Sequence, residues 1–282
     1  MRGPLLLLAA LGLFALLDAN SKLLSGHYPP AEVLAVRYAT MLVGLLLLRL
    51  ARPGLGGSLG TRHPRLHLLR AAAMLGASGG FLMSLRGLTL AQGYLVYFLA
   101  PFMILTLSAL VLRERVPRAT WGWCALGFSG VLVALAPAIT GGGPLHSYGW
   151  ALLGTASYAT VMTVNRYLRH EAGMARLILW SAVPGMLVLL PFVAEGWITP
   201  TPFDALAMAA NGALSGTATL CLAGAFRSAP ASRLAPLEFS ALAYAVVLDL
   251  LVWGALPDSH AMAGAVVVAL AGVMSQRRAA TA

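Results

Sequence analysis

Apolar residues fill this chain from one end to the other, in runs long enough to cross a lipid bilayer. Of its 282 residues, 59% are hydrophobic and only 10% are charged, whereas soluble domains have roughly 45–50% apolar and about 25% charged residues. A helix needs about 20 apolar residues to cross the hydrocarbon core, where lipid cannot satisfy an unpaired backbone. Ten runs approach that length, at residues 4–21, 31–49, 66–85, 93–112, 119–138, 148–165, 176–193, 205–226, 233–255 and 260–276. The sequence therefore predicts an all-α integral membrane protein with ten transmembrane helices, numbered here as spans 1 to 10.

The basic residues follow the order of these spans. If the spans alternate in direction, sixteen of the nineteen Lys and Arg residues fall on one side. They are Arg2, Arg49, Arg52, Arg62, Arg65, Arg70, Arg113, Arg115, Arg118, Arg166, Arg169, Arg176, Arg227, Arg233, Arg277 and Arg278. Cytoplasmic loops keep an excess of basic residues, so the net charge of +10 indicates topology rather than a nucleic-acid partner, and both termini are predicted to be cytoplasmic. Span 1 could instead be a signal peptide cleaved near Ala19, but the repeat described next requires it.

The two halves of the chain share local patterns. Residues 14–24 align without gaps to residues 158–168, and the Gly-rich segment 122–133 is echoed by 264–275. Five spans are an odd number, so the second copy enters the membrane from the opposite face. We therefore predict two five-helix repeats of inverted topology, residues 1–140 and 145–282, an arrangement typical of transporters with a central site of alternating access.

Several segments resemble the EamA type of the drug/metabolite transporter (DMT) superfamily. They are residues 91–101 with the following Arg113-Glu114-Arg115, and in the second half residues 235–244 and 253–257. One departure is Ala255, where family members often have Glu before the Leu-Pro pair. The resemblance implies ten helices, a cavity bounded mainly by spans 3, 4, 8 and 9 with 1 and 6, and outward movement of small metabolites.

Within this superfamily the chain resembles the YddG type of bacterial amino acid exporters. The resemblance thus implies a multi-pass secondary transporter of the bacterial inner membrane that exports amino acids, including aromatic ones, or related metabolites. Its partners would be that small-molecule substrate and the lipid bilayer, in a monomer or a homodimer. An exporter of drugs or other metabolites, a channel and a lipid scramblase are the alternatives.

Ionisable residues inside the spans are candidate functional groups, because each costs at least about 2.5–3.5 kcal/mol in a bilayer. Glu238 and Asp249 lie eleven residues apart on span 9, roughly 16 Å along one face, and could bind a substrate amine or a proton. Alternatively, Glu238 caps the start of the span and Asp249 lies near its end. Asp18 and Lys22 have i, i+4 spacing; mutual neutralisation is favoured over a role in coupling.

Two arginines belong to the same group. Arg166 is the repeat equivalent of Lys22 and is predicted to anchor the cytoplasmic end of span 6, with a role in gating as the alternative. Arg37, in span 2, is predicted to extend outward to the membrane surface.

Aromatic and small residues complete the candidate site. Tyr94 and Tyr97 on span 4 and Tyr158 on span 6 lie on polar-aromatic stripes that could stack a substrate side chain, unless they anchor the membrane interface. Ser78 and Ser215 lie in small-residue clusters and are candidate substrate contacts, although helix packing is the favoured role. Three prolines are predicted to break or bend helices: Pro101, Pro184 and Pro236. Spans 5 and 10 are predicted to pack together through their glycines.

Other chemistries lack the residues they need. The six histidines lie in or beside connections and the two cysteines in apolar runs, so no metal site and no cofactor are predicted. Gly76-Ala-Ser-Gly79 matches the motif of intramembrane serine proteases, but such a serine needs a base. No nucleotide-binding Gly-rich loop occurs either. The sequence therefore predicts that the protein is not an enzyme, and that transport is facilitated or coupled to an ion gradient.

Overall fold

The structure of the protein, a computed structural model, describes residues 2–54, 56–88, 90–140, 145–171, 173, 175–254, 259–260, 262–264, 266–267, 270–271 and 274. Every regular element in these residues is helical. The α-helices are α1 (Arg2–Ser25), α2 (Pro30–Ala51), α3 (Pro64–Ser84), α4 (Leu90–Tyr97), α5 (Ala100–Leu110), α6 (Arg118–Thr140), α7 (Leu145–Tyr167), α8 (Ala175–Gly196), α9 (Pro202–Ser228), α10 (Ala231–Leu234) and α11 (Ala241–Trp253). Two 3-10 turns occupy Leu168–His170 and Ala235–Ser240.

Five of these helices are long and apolar enough to cross a membrane: α1, α2, α3, α8 and α9. They correspond to the predicted spans 1, 2, 3, 7 and 8. Large leucines on their outer faces remain exposed, among them Leu46 at 61%, Leu50 at 78% and Leu187 at 61%. Contiguous apolar surface of this kind is stable against lipid and unstable against water. The chain is therefore a multi-pass membrane protein.

Spans 4 and 9 are interrupted helices. In span 4, α4 ends at Tyr97 and α5 begins at Ala100, with Pro101 in its first turn. In span 9, the 3-10 turn that contains Pro236 separates α10 from α11. Proline cannot donate the backbone hydrogen bond that a continuous helix requires. These interruptions place short, non-α backbone segments beside the centre of the molecule.

Pro184 does not break its helix. Helix α8 runs unbroken from Ala175 to Gly196 with Pro184 inside it; of the predicted break or bend, the break is wrong and the bend stays a prediction. A proline is tolerated inside a helix in lipid because neighbouring helices and local adjustments satisfy the freed carbonyl.

Glycines let the helices approach closely. A Cβ atom on Gly80 of α3 would lie 2.8 Å from the carbonyl oxygen of Trp150 and 2.9 Å from the amide nitrogen of Gly154, both on α7. A Cβ atom on Gly130 of α6 would lie 2.8 Å from the carbonyl oxygen of Gly264. The predicted packing of span 5 against span 10 is thereby confirmed at this contact.

Polar contacts join the connections at one end of the bundle. The Glu171 carboxylate accepts hydrogen bonds from Thr61 Oγ1 (2.6 Å) and the Arg62 amide (3.0 Å), and contacts His67 Nε2 (2.8 Å) and Arg176 (2.9 Å). Burial by itself would raise the pKa of the Glu171 carboxyl, but the hydrogen bonds from these four residues outweigh it and lower the pKa to about 2. Glu171 therefore carries a full negative charge at neutral pH, which fixes the α2–α3 connection against the α7–α8 connection.

A second group of contacts joins the connections at the opposite end. The Tyr28 hydroxyl donates to Asp204 Oδ2 (2.7 Å), and the Ile198 amide donates to Glu32 Oε2 (2.9 Å). The α1–α2 connection thus meets the α8–α9 connection. Connections that alternate between the two ends agree with helices that alternate in direction.

Candidate functional site

A cavity of about 100 Å³, measured as space open to the centre of a water molecule, lies inside the helix bundle. Water needs roughly 10–15 Å³ of such space per molecule, so the cavity has room for several waters or part of a small metabolite. Its charged and polar lining residues are Asp18, Ser21, Arg37, Arg70, Ser78, Tyr94, Tyr97, Tyr158, Asn165, Thr219 and Glu238. They come from α1, α2, α3, α4, α7, α9 and the second 3-10 turn.

Two carboxylates in this lining are each held by a tyrosine. The Tyr94 hydroxyl of α4 donates a hydrogen bond to Asp18 Oδ2 of α1 at 2.8 Å. The Tyr158 hydroxyl of α7 donates to Glu238 Oε2 in the second 3-10 turn, also at 2.8 Å. Each predicted half of the chain therefore supplies one carboxylate–tyrosine pair. The predicted site residues Tyr94, Tyr158 and Glu238 are brought together here with Asp18.

Aromatic rings connect the two pairs. The Phe81 ring of α3 makes edge contacts with Tyr94 (centroids 5.4 Å apart) and Tyr97 (5.1 Å), and the Tyr97 ring lies 5.4 Å from that of Tyr158. Edge-to-face and tilted contacts at these distances are favourable for aromatic rings. The cavity thus has an apolar, aromatic wall between Asp18 and Glu238, against which a hydrophobic side chain can stack.

Arg37 lies in the interior, not at the membrane surface, and the expectation that it extends outward is wrong. Its side chain is buried and lines the cavity. One terminal guanidinium nitrogen donates to Ser21 Oγ at 3.0 Å, and the carboxylate of Asp18 lies within its electrostatic reach. Its position in the sequence gave little sign of this, because most residues around it in α2 are apolar and no acidic residue lies one helical turn away.

Arg70 is a cavity residue that sequence reasoning assigned to topology. Its side chain is fully buried in α3. The guanidinium donates to Asn165 Oδ1 (2.7 Å), the Leu177 carbonyl (3.1 Å) and Ser181 Oγ (2.5 Å). In sequence, Arg70 follows Arg62 and Arg65, so it was grouped with the basic residues at the membrane surface. Its position could have indicated a different role, because it lies one and a half helical turns inside α3.

The remaining predicted residues occupy other places. Ser78 lines the cavity, whereas Ser215 is buried in α9 outside the lining. Asp249 is half-buried in α11 and does not line the cavity either. The ammonium of Lys22 lies 4.3 Å from the ring centroid of Trp253, so Lys22 and Asp18 have separate partners and the favoured neutralising pair is wrong.

Arg166 forms an ion pair with the residue that closes span 4. Its Nε donates to Glu114 Oε1 at 2.6 Å, and a terminal nitrogen lies 3.4 Å from the Phe226 carbonyl oxygen. The side chain thereby joins α7 to the α5–α6 connection and to α9. This geometry suits an anchor at the helix end, and it also suits a closing contact beside the cavity.

The histidine that shares helix α3 with Ser78 lies far from it. His67 lies inside α3, eleven residues before Ser78, so about 16 Å of helix separates them. Its Nε2 contacts Glu171 at the end of the bundle. The described residues also contain no group of three or more His, Cys, Asp or Glu side chains that could hold a metal ion. The cavity lining itself offers charged groups, hydroxyl groups and aromatic rings, which can bind a small polar molecule.

Fold and cavity together define a multi-pass α-helical membrane protein with a buried polar site between its helices. A solved crystal structure has the same fold, with a TM-score of 0.78 over 98% of both chains at 19% identity. The EamA-like transporter family model matches residues 1–136 and again residues 146–275. The chain therefore belongs to the EamA-like transporter family, whose members are transporters and not enzymes.

Curated relatives carry names for different substrates and directions. An S-adenosylmethionine uptake transporter of Rickettsia conorii is 24% identical over 211 residues, which cover 75% of this chain and 71% of the relative. A pseudopaline exporter of Pseudomonas aeruginosa is 23% identical over 276 residues, 98% of this chain and 96% of the relative. An uncharacterized transporter of Helicobacter pylori is 24% identical over 272 residues. Direction of transport therefore differs among proteins similar to this one.

Proposed function

We propose that this protein exports small metabolites that carry both an amino and a carboxyl group, amino acids above all, across the bacterial inner membrane. The observation that carries the proposal is the cavity lining. Two carboxylates, two guanidinium groups and a row of aromatic rings share one buried space. Buried charges are costly and mark the substrate path of membrane transporters. A zwitterion with an apolar or aromatic side chain complements all three features.

Alternating access between two inverted repeats of five spans is part of the proposal. The family model matches the chain twice, in segments close to the predicted repeats. Contacts across the bundle support the same relation. Helix α1 (span 1) packs on α9 (span 8), and α3 (span 3) packs on α7 (span 6). The proposed repeat relates span 1 to span 6 and span 3 to span 8, so it converts one of these packed pairs into the other. The predicted alignment also pairs Ser21 with Asn165, and each of these accepts a hydrogen bond from a buried arginine. Rocking of one repeat against the other would open the cavity to each side in turn.

Coupling and gating belong to the proposal as well. Asp18 lines the cavity beside Arg37, a position from which a carboxylate can exchange a proton with substrate or water. Lys22, Arg166 and Asp249 are not part of the cavity lining, so the role proposed for them is gating and not substrate binding. The cytoplasmic location of both termini follows from the basic connections.

Liposome flux tests this proposal directly. Purified protein is reconstituted, and uptake of labelled phenylalanine, leucine, S-adenosylmethionine and a sugar nucleotide is measured with and without a pH gradient. We expect saturable, stereoselective uptake of amino acids. Flux that is neither saturable nor stereoselective would indicate a channel or scramblase and would refute the proposal.

Matched variants connect flux to the cavity. Glu238→Gln removes a charge from the lining and is expected to lower amino acid uptake about tenfold or more, the value of one hydrogen bond to a charged group. Glu195→Gln makes the same chemical change at an exposed residue near the end of α8, and uptake is expected to stay at the wild-type level. Equal uptake by both variants would show that transport does not need the Glu238 carboxyl group, and would contradict the proposed role of the cavity.

A further inference from the structure

The charges in the cavity differ in how well they are neutralised. Among the described residues, ion pairs within 4 Å join basic groups only to Glu114 and Glu171. Asp18 and Arg37 compensate each other at longer range, because each acts electrostatically on the other. Within the described part of the chain, Arg70 and Glu238 have no such partner: the hydrogen bonds of Arg70 go to neutral oxygens, and that of Glu238 comes from the Tyr158 hydroxyl.

Unused hydrogen-bonding atoms occur at the same two residues. One terminal nitrogen of Arg70, Nη2, is buried without a hydrogen-bond partner among the described residues, and so is Nδ2 of its neighbour Asn165. Oε1 of Glu238 is likewise buried and unpartnered. Buried polar groups in folded proteins nearly always have partners. Two free donors beside a guanidinium group and a free oxygen on a carboxyl group therefore make two poles of a binding site.

Both poles belong to one cavity. Their protein partners, Tyr158 for Glu238 and Asn165 for Arg70, lie seven residues apart on one face of α7, which is about two helical turns. Arg70, Asn165 and Glu238 all line the same cavity. A single small molecule with an amino and a carboxyl group can therefore contact both poles at once.

We propose that Arg70 and Asn165 bind the substrate carboxylate and that Glu238 binds the substrate ammonium, so that the site selects zwitterions and fixes their orientation. This inference rests on the proposed function and assigns its substrate poles to individual residues. An oriented amino acid extends its side chain toward the aromatic wall of Phe81, Tyr97 and Tyr158. Arg37 also has one buried nitrogen, Nε, without a partner among the described residues, but Asp18 acts on it electrostatically, so the substrate carboxylate is assigned to Arg70.

Competition with matched analogues tests the assignment. Uptake of labelled L-phenylalanine into liposomes is measured against unlabelled phenylalanine, phenylalaninamide and 3-phenylpropionate. The amide lacks the carboxylate, and phenylpropionate lacks the ammonium. For the wild type, we expect each analogue to need at least a tenfold higher concentration than phenylalanine for half-inhibition.

The variants should lose selectivity at one pole each. Asn165→Ala and Arg70→Lys are expected to shrink the preference for phenylalanine over its amide severalfold and to leave the preference over phenylpropionate intact. Glu238→Gln is expected to do the reverse. Asn165→Ala keeps the test decisive if Arg70→Lys fails to fold, because it leaves the guanidinium in place.

The outcomes separate this inference from the proposed function. If phenylalanine is taken up but its amide competes equally well, the pole assignment is wrong while amino acid transport stands. If the variants weaken all three compounds by the same factor, these residues only maintain the structure, and the assignment is again wrong. If no amino acid is taken up, both the proposed function and this inference are refuted.

Discussion

Tyr158 positions a carboxylate, and the hydroxyl group alone performs this task. The residue is buried, its ring packs against Tyr97, and its hydroxyl donates to Glu238 at 2.8 Å. Because Glu238 Oε1 already lacks a protein partner, loss of the hydroxyl would leave the whole carboxylate without one among the described residues. An unsatisfied buried group of this kind costs about 1–3 kcal/mol.

We therefore predict that Tyr158→Phe lowers amino acid uptake about tenfold. The ring and its packing stay, so the purified variant should still elute as a single folded species. Tyr167→Phe is the control, because Tyr167 is 54% exposed at the end of α7. Uptake by Tyr158→Phe at the control level would show that Glu238 needs no positioning.

At the residue scale, the sequence identified the acidic and aromatic members of the site better than the basic ones. A lone carboxylate in an apolar run stands out, as Glu238 and Asp18 do, because its insertion cost requires an explanation. An arginine close to a run of other arginines does not stand out, and Arg70 was therefore assigned to the membrane edge. The burial that separates Arg70 from Arg65 depends on which helices cover that turn of α3, and no local pattern records this.

The contact between α3 and α7 carries the Arg70 pole of the proposed site. Gly80 and Gly154 bring the two backbones together, and Arg70 of α3 bonds Asn165 of α7 at 2.7 Å. A wider separation of these helices would break that hydrogen bond. The two glycines thus hold the helices close enough for the hydrogen bond between Arg70 and Asn165.

We predict that Gly80→Ala destabilises the protein by about 1–3 kcal/mol, the usual cost of overpacking a close contact. The added methyl group would lie 2.8 Å from the Trp150 carbonyl oxygen and 2.9 Å from the Gly154 nitrogen, both of which are rigid backbone. Thermal unfolding in detergent measures the effect. Gly149→Ala is the control on α7, since a methyl group there meets nothing within 4 Å. A Gly80→Ala variant as stable as this control would contradict the packing.

At the element scale, hydrophobic runs predicted where helices lie. The positions of the prolines predicted some of the helix interruptions but not which prolines lie in a continuous helix. Pro101 and Pro236 lie where spans 4 and 9 are interrupted, whereas Pro184 lies in an unbroken helix. The three residues have the same covalent constraint. What differs is whether the surrounding helices satisfy the freed carbonyl groups, and that is a property of packing.

The whole molecule has two unlike ends. One end joins the α2–α3 and α7–α8 connections through Glu171, and the other joins the α1–α2 and α8–α9 connections through Tyr28 and Glu32. The positive-inside rule predicts that the basic Glu171 end is cytoplasmic. This orientation also decides whether the Arg70 pole lies toward the inside of the cell.

Cysteine labelling in intact cells tests the orientation. Ser58 and Thr199 are exposed residues in connections at opposite ends. We predict that Thr199→Cys reacts with a membrane-impermeant thiol reagent added outside, and that Ser58→Cys reacts only after the membrane is opened. The wild type is the background, because Cys124 is buried and Cys221 half-buried. The reverse labelling pattern would invert the topology.

The sequence by itself determined that this chain is a helical membrane protein, because length and hydropathy act within each segment and need no knowledge of its neighbours. The resemblance at residues 91–101 and 235–244 likewise led to the transporter family. Only the tertiary structure decided which charges share the cavity. Asp18, Arg37, Arg70 and Glu238 line one cavity although they lie on four different elements. Whether a buried charge is compensated or left free for a substrate depends on those distances.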